Sequence, residues 1–411
     1  MRFPLPAHNL YGNEPVIIDI PDNWDVGVYS YAGEKAPALS MEQLEEKILN
    51  PINARTIVEG AKGCKNAVII IDDITRPTYC ADIAKIVIEQ LEKAGVPRNK
   101  ITFIVAVGMH RAMMREDFVR KLGEDIVREF RVYNHNPFYN NVLVGHGIHN
   151  TPIELNTEVV RADYKVAIGT IFVHGSTGLG GSGKILVPGV ASLETNRRFH
   201  LYPKGNWDYE DNDMRTIGTQ AVELLGLNFK IDTLPNGKGE IAEVFAGHGP
   251  TIVSEKIDEV KKFYTTPMPA PADLVISNNY FKPTEPSLAN ASKELIFGLV
   301  KPGGDYIISY FTPQGVACHY LLGKWGDSEI GGPMYYGKGQ IPAHINRYFA
   351  FSHYQDMGHG ASYHLDADAH IWVDNWADII KALGDAPRTV SILPYATVFY
   401  MGEASEPKKS H

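Results

Sequence analysis

Residues 66–95 read NAVIIIDDITRPTYCADIAKIVIEQLEKAG. The run NAVIII is short and apolar, and reads as a buried strand. It ends in Asp72, Asp73, Ile74, Thr75, Arg76 and Pro77. From 79 to 94 the apolar period changes to that of a helix (Ile83, Ile86, Val87, Leu91), and Gly95 and Pro97 stop it. Residues 101–107 form a second apolar run, followed by Gly108-Met109-His110-Arg111. Strand, helix, strand predicts a parallel sheet with helices on both faces. In such sheets ligands bind outside the carboxyl ends of the strands.

The same pattern extends outward. Residues 1–35 alternate apolar and polar positions (Val16, Ile18, Ile20) and predict one or two short strands. Ser40 is an N-cap before MEQLEEKIL, whose Leu44, Ile48 and Leu49 have helical spacing. A helix is predicted over 116–122, continuing toward Phe130, and a strand over 164–173. That strand feeds residues 171–200, IFVHGSTGLGGSGKILVPGVASLETNRRFH, in which His174 and His200 flank a glycine-rich loop carrying Lys184. Asp73 with Arg76, His110 and His174 all follow predicted strands, so they are expected to converge on one crevice. The prolines of TTPMPAP (265–271) mark a domain boundary. Beyond it, strands are predicted at 274–277, 306–310 and 371–373, helices at 288–300 and 375–383, and a last strand at 389–400.

The expectation is therefore an α/β protein of two domains, with parallel-rich sheets flanked by helices and an active site in the interdomain cleft. Residues 1–268 are expected to form the cofactor-binding and catalytic domain, joined by 388–411. Residues 269–387 are expected to close over the substrate.

Bulk properties exclude several classes. The chain has 411 residues, too many for one ordinary core. It is 44% hydrophobic and 21% charged, with a formal net charge of −9 and its basic residues spread along the chain. That argues against nucleic acid or an anionic membrane as the main partner. Cys64, Cys80 and Cys318 are odd in number and far apart, and make neither a disulfide framework nor a zinc-finger spacing. A reducing, cytoplasmic setting is expected. The opening MRFPLPAHNL lacks the charged and apolar regions of a signal peptide. No apolar run reaches the ~18 residues of a membrane span.

Each candidate has a plain alternative. Residues 178–184, GLGGSGK, fit G-x-x-x-x-G-K, but Ile185 stands where a phosphate loop has the Ser or Thr that holds Mg²⁺. An ATP-dependent enzyme using that loop is the alternative function; a flexible surface loop is the bland one. Arg76, at a strand end before a helix, is a bidentate anion reader or part of a structural ion pair; Asp73 would orient Arg76 or a histidine, or cap the helix. His110 is structural or catalytic, with Arg111 marking a polar surrounding. Lys293 reaches a carboxylate or lies on a solvated helix face. His353, His359, His364 and His370 match no zinc spacing and stay unassigned.

Three blocks together resemble the nickel-pincer lactate racemase (LarA-like) family: Asp73-Ile74-Thr75-Arg76-Pro77; Gly108-Met109-His110-Arg111; and His174 through Gly180-Gly181-Ser182-Gly183-Lys184 and Pro188-Gly189 to His200. Their order and spacing fit, and similarity extends over most of the chain, weakest after about residue 310. The resemblance implies a two-domain α/β racemase or epimerase acting on C2 of a small 2-hydroxy acid. It implies a nickel-pincer nucleotide, nickel bound to a pyridinium-3-thioamide-5-thiocarboxylate mononucleotide, attached covalently at Lys184. It implies His200 as the protein ligand of nickel, His110 and His174 as alternating acid and base, and Arg76 and Lys293 on the substrate. Asp73, Thr75, Gly181 and Gly183 are expected along the cofactor, and cofactor-synthesis enzymes are transient partners.

These roles agree with the chemistry. Racemisation by hydride transfer needs one proton carrier on each side of C2. It needs a grip on the carboxylate and a hydride sink that no side chain supplies. Imidazole and sulfur ligands suit nickel. The sequence also departs from the family. Ala289-Asn290 stands where lactate racemases carry Tyr-Gln, residues 201–213 differ (Lys204, Trp207, Asp208, Tyr209), and Gly247-His248 replaces Gly-Asp. A substrate larger or more polar than lactate is expected, such as a sugar acid or a hydroxy-diacid.

Overall fold

The computed structural model describes residues 1–175, 177–202, 212–284, 292–315, 319–321, 341–354 and 371–402. The chain divides into two compact units, one of Ala36–Phe172 with Ser176–Val260, the other of Met1–Lys35, Val173–Gly175 and Lys261–His411.

The first unit is built on a six-stranded sheet in the order Ile241–Gly247, Phe229–Pro235, Tyr164–Thr170, Ala67–Asp72, Ile101–Ala106, Arg131–Asn134. All neighbours are parallel except the edge strand Ile241–Gly247, which runs antiparallel to Phe229–Pro235. In the central strands nearly every residue is buried, as a sheet covered on both faces requires. Val68, Ile70, Ile104 and Ala167 pack one face against Ile185, Leu186, Phe199, Met214 and Ile217. Helix Ala81–Lys93 buries Ile83, Val87 and Leu91, and the chain turns out of it at Gly95, φ +94°. Along the sheet the chain runs outward from Ala67–Asp72 through Ile101–Ala106 to Arg131–Asn134, then returns to place Tyr164–Thr170 on the other side. The loops after Ala67–Asp72 and Tyr164–Thr170 therefore diverge, at the topological switch point where such sheets open a crevice.

The second unit has a six-stranded, all-parallel sheet in the order Ile371–Val373, Arg347–Phe351, Val300–Ser309, Ala272–Asn278, Thr389–Leu393, Asp25–Val28. Leu274, Ile276, Ile307, Phe349 and Ile392 fill its core together with Leu5, Ile18 and Trp24 from the start of the chain. The parallel α/β architecture expected from the sequence is thus present in both units.

The units differ from the expected domain limits at both ends of the chain, at Val173–Gly175 and at the boundary, which falls before Lys261. Thr389–Leu393 pairs with Ala272–Asn278, not with the first sheet, and Asp25–Val28 pairs with Thr389–Leu393. So 1–35 and the last strand both belong to the second unit. The alternation of Val16, Ile18 and Ile20 falls in Val16–Asp19, which pairs with Arg2–Leu5 close by, whereas Asp25–Val28 lacks it and finds its partner near the other end of the chain. The helix predicted toward Phe130 is two, Arg115–Leu122 and Glu124–Glu129, broken at Gly123 with φ +81°. The strand expected over 164–173 stops at Thr170. Among the described residues, no helix is long and apolar enough to cross a membrane.

Some glycines of the 178–189 loop are required by packing. A Cβ on Gly183 would lie 2.0 Å from the carbonyl oxygen of Gly218, in helix Asp213–Leu225. Gly183→Ala is expected to destabilise the protein by about 1–3 kcal/mol or more, the cost of overpacking a dense interior. Gly218→Ala, whose added Cβ finds 3.3 Å, should cost less. Thermal unfolding of both variants checks the order.

Candidate active site

The turn after Ala67–Asp72 is organised by its two aspartates. Asp72 Oδ1 accepts from Lys121 Nζ at 2.5 Å, and its Oδ2 from Thr78 Oγ1 at 2.5 Å. Lys121 is fully buried and also donates to the Arg76 carbonyl at 3.2 Å. Thr78 meets Thr170, and Thr170 meets Thr233 at 2.9 Å, so a chain of buried polar side chains ties the ends of three strands together.

Asp73 has other partners. Its Oδ1 accepts from the Thr75 amide at 3.2 Å and from Thr75 Oγ1 at 2.5 Å. Its Oδ2 lies 2.6 Å from His110 Nδ1. Burial works to raise the Asp73 carboxyl, but the charge and hydrogen bond of His110, then Arg76 and Thr75, outweigh it and hold it below the ordinary value of 3.8. A carboxylate only accepts, so His110 Nδ1 carries the hydrogen, which leaves Nε2 as the atom that takes or gives a proton. Arg76 is half-buried, and its Nη1 donates to Thr75 Oγ1 at 2.8 Å. His110 is brought in by Gly108, φ +54°, whose amide donates to the Gly189 carbonyl at 2.8 Å. That bond joins the His110 turn to the end of the glycine loop.

Lys184 lies on the 3-10 turn Ser182–Ile185 and is partly buried. The loop amides are used internally: Gly180 to Phe172 O (2.6 Å), Ser182 to Asp232 Oδ2 (3.0 Å), Lys184 to Gly181 O (3.2 Å) and Leu186 to Gly183 O (2.9 Å). The next α-helix, Leu193–Leu201, starts only nine residues after Lys184. A phosphate loop needs outward amides at a helix start, so the ATP-dependent alternative finds no support here. Added Cβ atoms at Gly181 and Gly183 would meet protein, Ile171 at 2.6 Å and Gly218 at 2.0 Å.

His200 sits on the last turn of Leu193–Leu201, a helix capped by Ser192 through the Thr195 amide. Its Nδ1 donates to the Asn196 carbonyl at 2.7 Å, leaving the lone pair on Nε2. Burial pushes its pKa down to about 4 against that bond, and the charges of Lys184 and His110 lower it further. Asn196 donates to the carbonyls of Ala191 (2.9 Å) and Ser192 (3.0 Å). His135, likewise lowered to about 4 by burial, shares the Ala191 carbonyl at 2.9 Å.

The first unit thus brings together Asp73, Thr75, Arg76 and His110, and sets Lys184 and His200 within electrostatic reach of one another. His174 belongs to Val173–Gly175, in the second unit. Lys293 starts the helix Lys293–Phe297 of that unit. Residues 203–211, 289–290, His359, His364 and His370 lie outside the described residues. His248 faces Thr251 (2.8 Å) and Glu223 (3.3 Å). It follows a strand whose end pairs with Lys230, near the start of Phe229–Pro235, so it leaves the sheet at the end opposite the His110 turn. Sequence reading missed Lys121, Thr170, Lys230, Asp232 and Thr233. Their signal is polar residues inside otherwise apolar strands and helices.

Known proteins resemble this chain in sequence and fold. Residues 11–209 match the lactate racemase N-terminal domain. The chain is 28% identical over 317 residues to a lactate racemase of Thermoanaerobacterium thermosaccharolyticum, covering 74% of each chain. It is 28% identical over 293 residues to a lactate racemase of Lactiplantibacillus plantarum, covering 69% of each. The fold matches the lactate racemase apoprotein structure from T. thermosaccharolyticum with a TM-score of 0.68 at 20% identity, covering 97% of this chain and 99% of that one. A structural-genomics protein from Thermotoga maritima matches with a TM-score of 0.62 at 19% identity, over 90% and 99%. These matches define an isomerase of the racemase and epimerase class. The chain is similar to the lactate racemase family, over residues 11–209 by the family model and over most of its length by the two relatives.

The Asp73–His110 bond gives a pH-dependent prediction. A carboxyl held below 3.8 contributes stability that is present above that value and lost as pH falls through the lowered one. Asp73→Asn is expected to cost about 1.5–3 kcal/mol at pH 7, a gap that narrows as pH falls below 3.8. Thermal melts of both proteins across that range check it.

Proposed function

We propose that this protein inverts C2 of a 2-hydroxy acid by reversible hydride transfer to a nickel-pincer nucleotide. The observation that carries the proposal is the grouping at the switch point: His110 bonded to Asp73, Arg76 beside them, and Lys184 and His200 within electrostatic reach.

The residues present fit that cofactor. Lys184 is an amine on a held turn, suited to a covalent tether. His200 offers a partly buried, neutral imidazole with Nε2 as its donor atom and Nδ1 fixed by a carbonyl, the arrangement that sets a metal-binding histidine's tautomer. When bound, the nickel-pincer nucleotide supplies the electron sink that side chains lack.

The chain's own residues then do the following. Arg76 grips the substrate carboxylate with its guanidinium, which Thr75 orients. His110 Nε2 takes the proton of the C2 hydroxyl from one enantiomer and gives it back when that same enantiomer is re-formed. Asp73 holds the ring and balances the imidazolium that forms. We assign Asp73 and Thr75 this orienting role, because their polar atoms are committed to His110 and Arg76. His174 is the proton carrier for the opposite enantiomer and Lys293 a second contact to the carboxylate, both carried over from the family motif. The substrate is larger or more polar than lactate, on the strength of Ala289-Asn290 and of residues 201–213. His248 does not bear on that point, given its place in the sheet.

Co-expression with cofactor-synthesis enzymes is expected to add the cofactor's mass to wild type and not to Lys184→Ala. The loaded protein, screened by proton NMR against 2-hydroxy acids including aldonic acids, should invert C2 of at least one. His110→Ala should lower that rate by about 10²–10⁴. Absence of any adduct on the wild type under loading conditions would falsify the cofactor assignment.

A further inference from the structure

The turn that presents Lys184 rests on an ion pair closed off from water. Lys230 and Asp232 lie on strand Phe229–Pro235, and their side chains are 1% and 0% exposed. Lys230 Nζ donates to Asp232 Oδ1 at 2.6 Å and to the Ile231 carbonyl at 2.8 Å. Asp232 Oδ2 accepts the backbone amide of Ser182 at 3.0 Å. One carboxylate thus bridges a buried ammonium and the first residue of the Ser182–Ile185 turn.

Ser182 has φ +50°, in the left-handed region that a side chain disfavours. Its hydroxyl is buried and has no hydrogen-bond partner among the described residues. Gly181 before it has φ +81°, and a Cβ there would stand 3.3 Å from both Asp232 oxygens. Gly183 after it packs against the backbone of Gly218. The turn is held between Asp232 on one side and helix Asp213–Leu225 on the other, and Lys184 follows two residues after the anchored amide. A backbone kept in a disfavoured conformation needs surroundings that over-determine it.

We propose that Lys230 and Asp232 are positioning residues for Lys184: Asp232 fixes the turn, and Lys230 holds the Asp232 carboxylate aimed at the Ser182 amide. The proposal rests on the reading of Lys184 as the cofactor tether. A buried ion pair adds little net stability over apolar residues of similar size. The pair's effect is therefore expected in the geometry of the turn more than in the melting temperature.

The test replaces the pair by apolar residues, Lys230→Met with Asp232→Leu, in the full-length protein. The double variant should stay folded and melt close to wild type. Hydrogen exchange followed by mass spectrometry should show amide protection over 181–186 falling by about tenfold or more, with strand Ala67–Asp72 unchanged. The fraction of protein carrying the cofactor mass at Lys184 should fall in parallel. Asp232→Asn keeps an acceptor for the Ser182 amide, and should retain more protection and more adduct than the double variant. If the double variant does not fold, Asp232→Asn against wild type carries the comparison, with a smaller, loop-confined loss expected. Unchanged protection over 181–186, or a loss spread evenly over the unit, would overturn the proposal. A wild type with no adduct would remove the tether role, while the exchange result would still decide whether Asp232 holds the turn.

Discussion

Strands Ala67–Asp72 and Tyr164–Thr170 lie side by side, and the chain leaves them in opposite directions. The candidate site depends on that divergence being held open at a fixed geometry. Parallel strands cannot be joined by a tight turn, so the loops after them have room to carry function. Buried polar groups pin their bases. Lys121 neutralises Asp72, Thr78 bridges Asp72 to Thr170, and Thr233 extends the chain of contacts to the next strand. Apolar packing alone would hold the sheet, but it would not set the direction in which Asp73 and the glycine loop depart.

On that base, each histidine's working nitrogen is set by what its other nitrogen touches. His110 faces a carboxylate through Nδ1, an environment that accommodates a proton arriving at Nε2. His200 faces a backbone carbonyl through Nδ1 and is partly buried, an environment that keeps the ring neutral. The Gly108–Gly189 backbone bond ties the His110 turn to the end of the glycine loop, which leads into the helix that carries His200. One residue type is thereby given two different capacities by its partners. Asp72 and Asp73, adjacent in sequence, divide in the same way, one bonded to Lys121 and the other to His110.

Much of this was legible in the sequence. The apolar runs at 66–71 and 101–107, with the helical period between them, report a parallel α/β unit, because burial on both faces leaves uninterrupted Val and Ile. Placing Asp73, Arg76 and His110 after strands anticipated their meeting in the first unit. Less legible were long-range pairings: nothing local in Asp25–Val28 or Thr389–Leu393 names the other as its neighbour. At Gly181 and Gly183, expected along the cofactor, the missing Cβ makes room for protein. Lys230 and Asp232 were passed over because one charged pair in a strand looks like a solvated face. Only the tertiary structure shows both shut inside.

Hydride transfer requires that the C2 hydrogen leave with its electrons while a histidine moves only the hydroxyl proton. The most direct measurement is inversion of a 2-hydroxy acid by the loaded protein in deuterium oxide, with deuterium at C2 read by NMR and mass spectrometry. The account predicts that the inverted product retains protium at C2. Deuterium incorporated at C2 at the rate of inversion would contradict it, because that is the mark of proton abstraction from carbon.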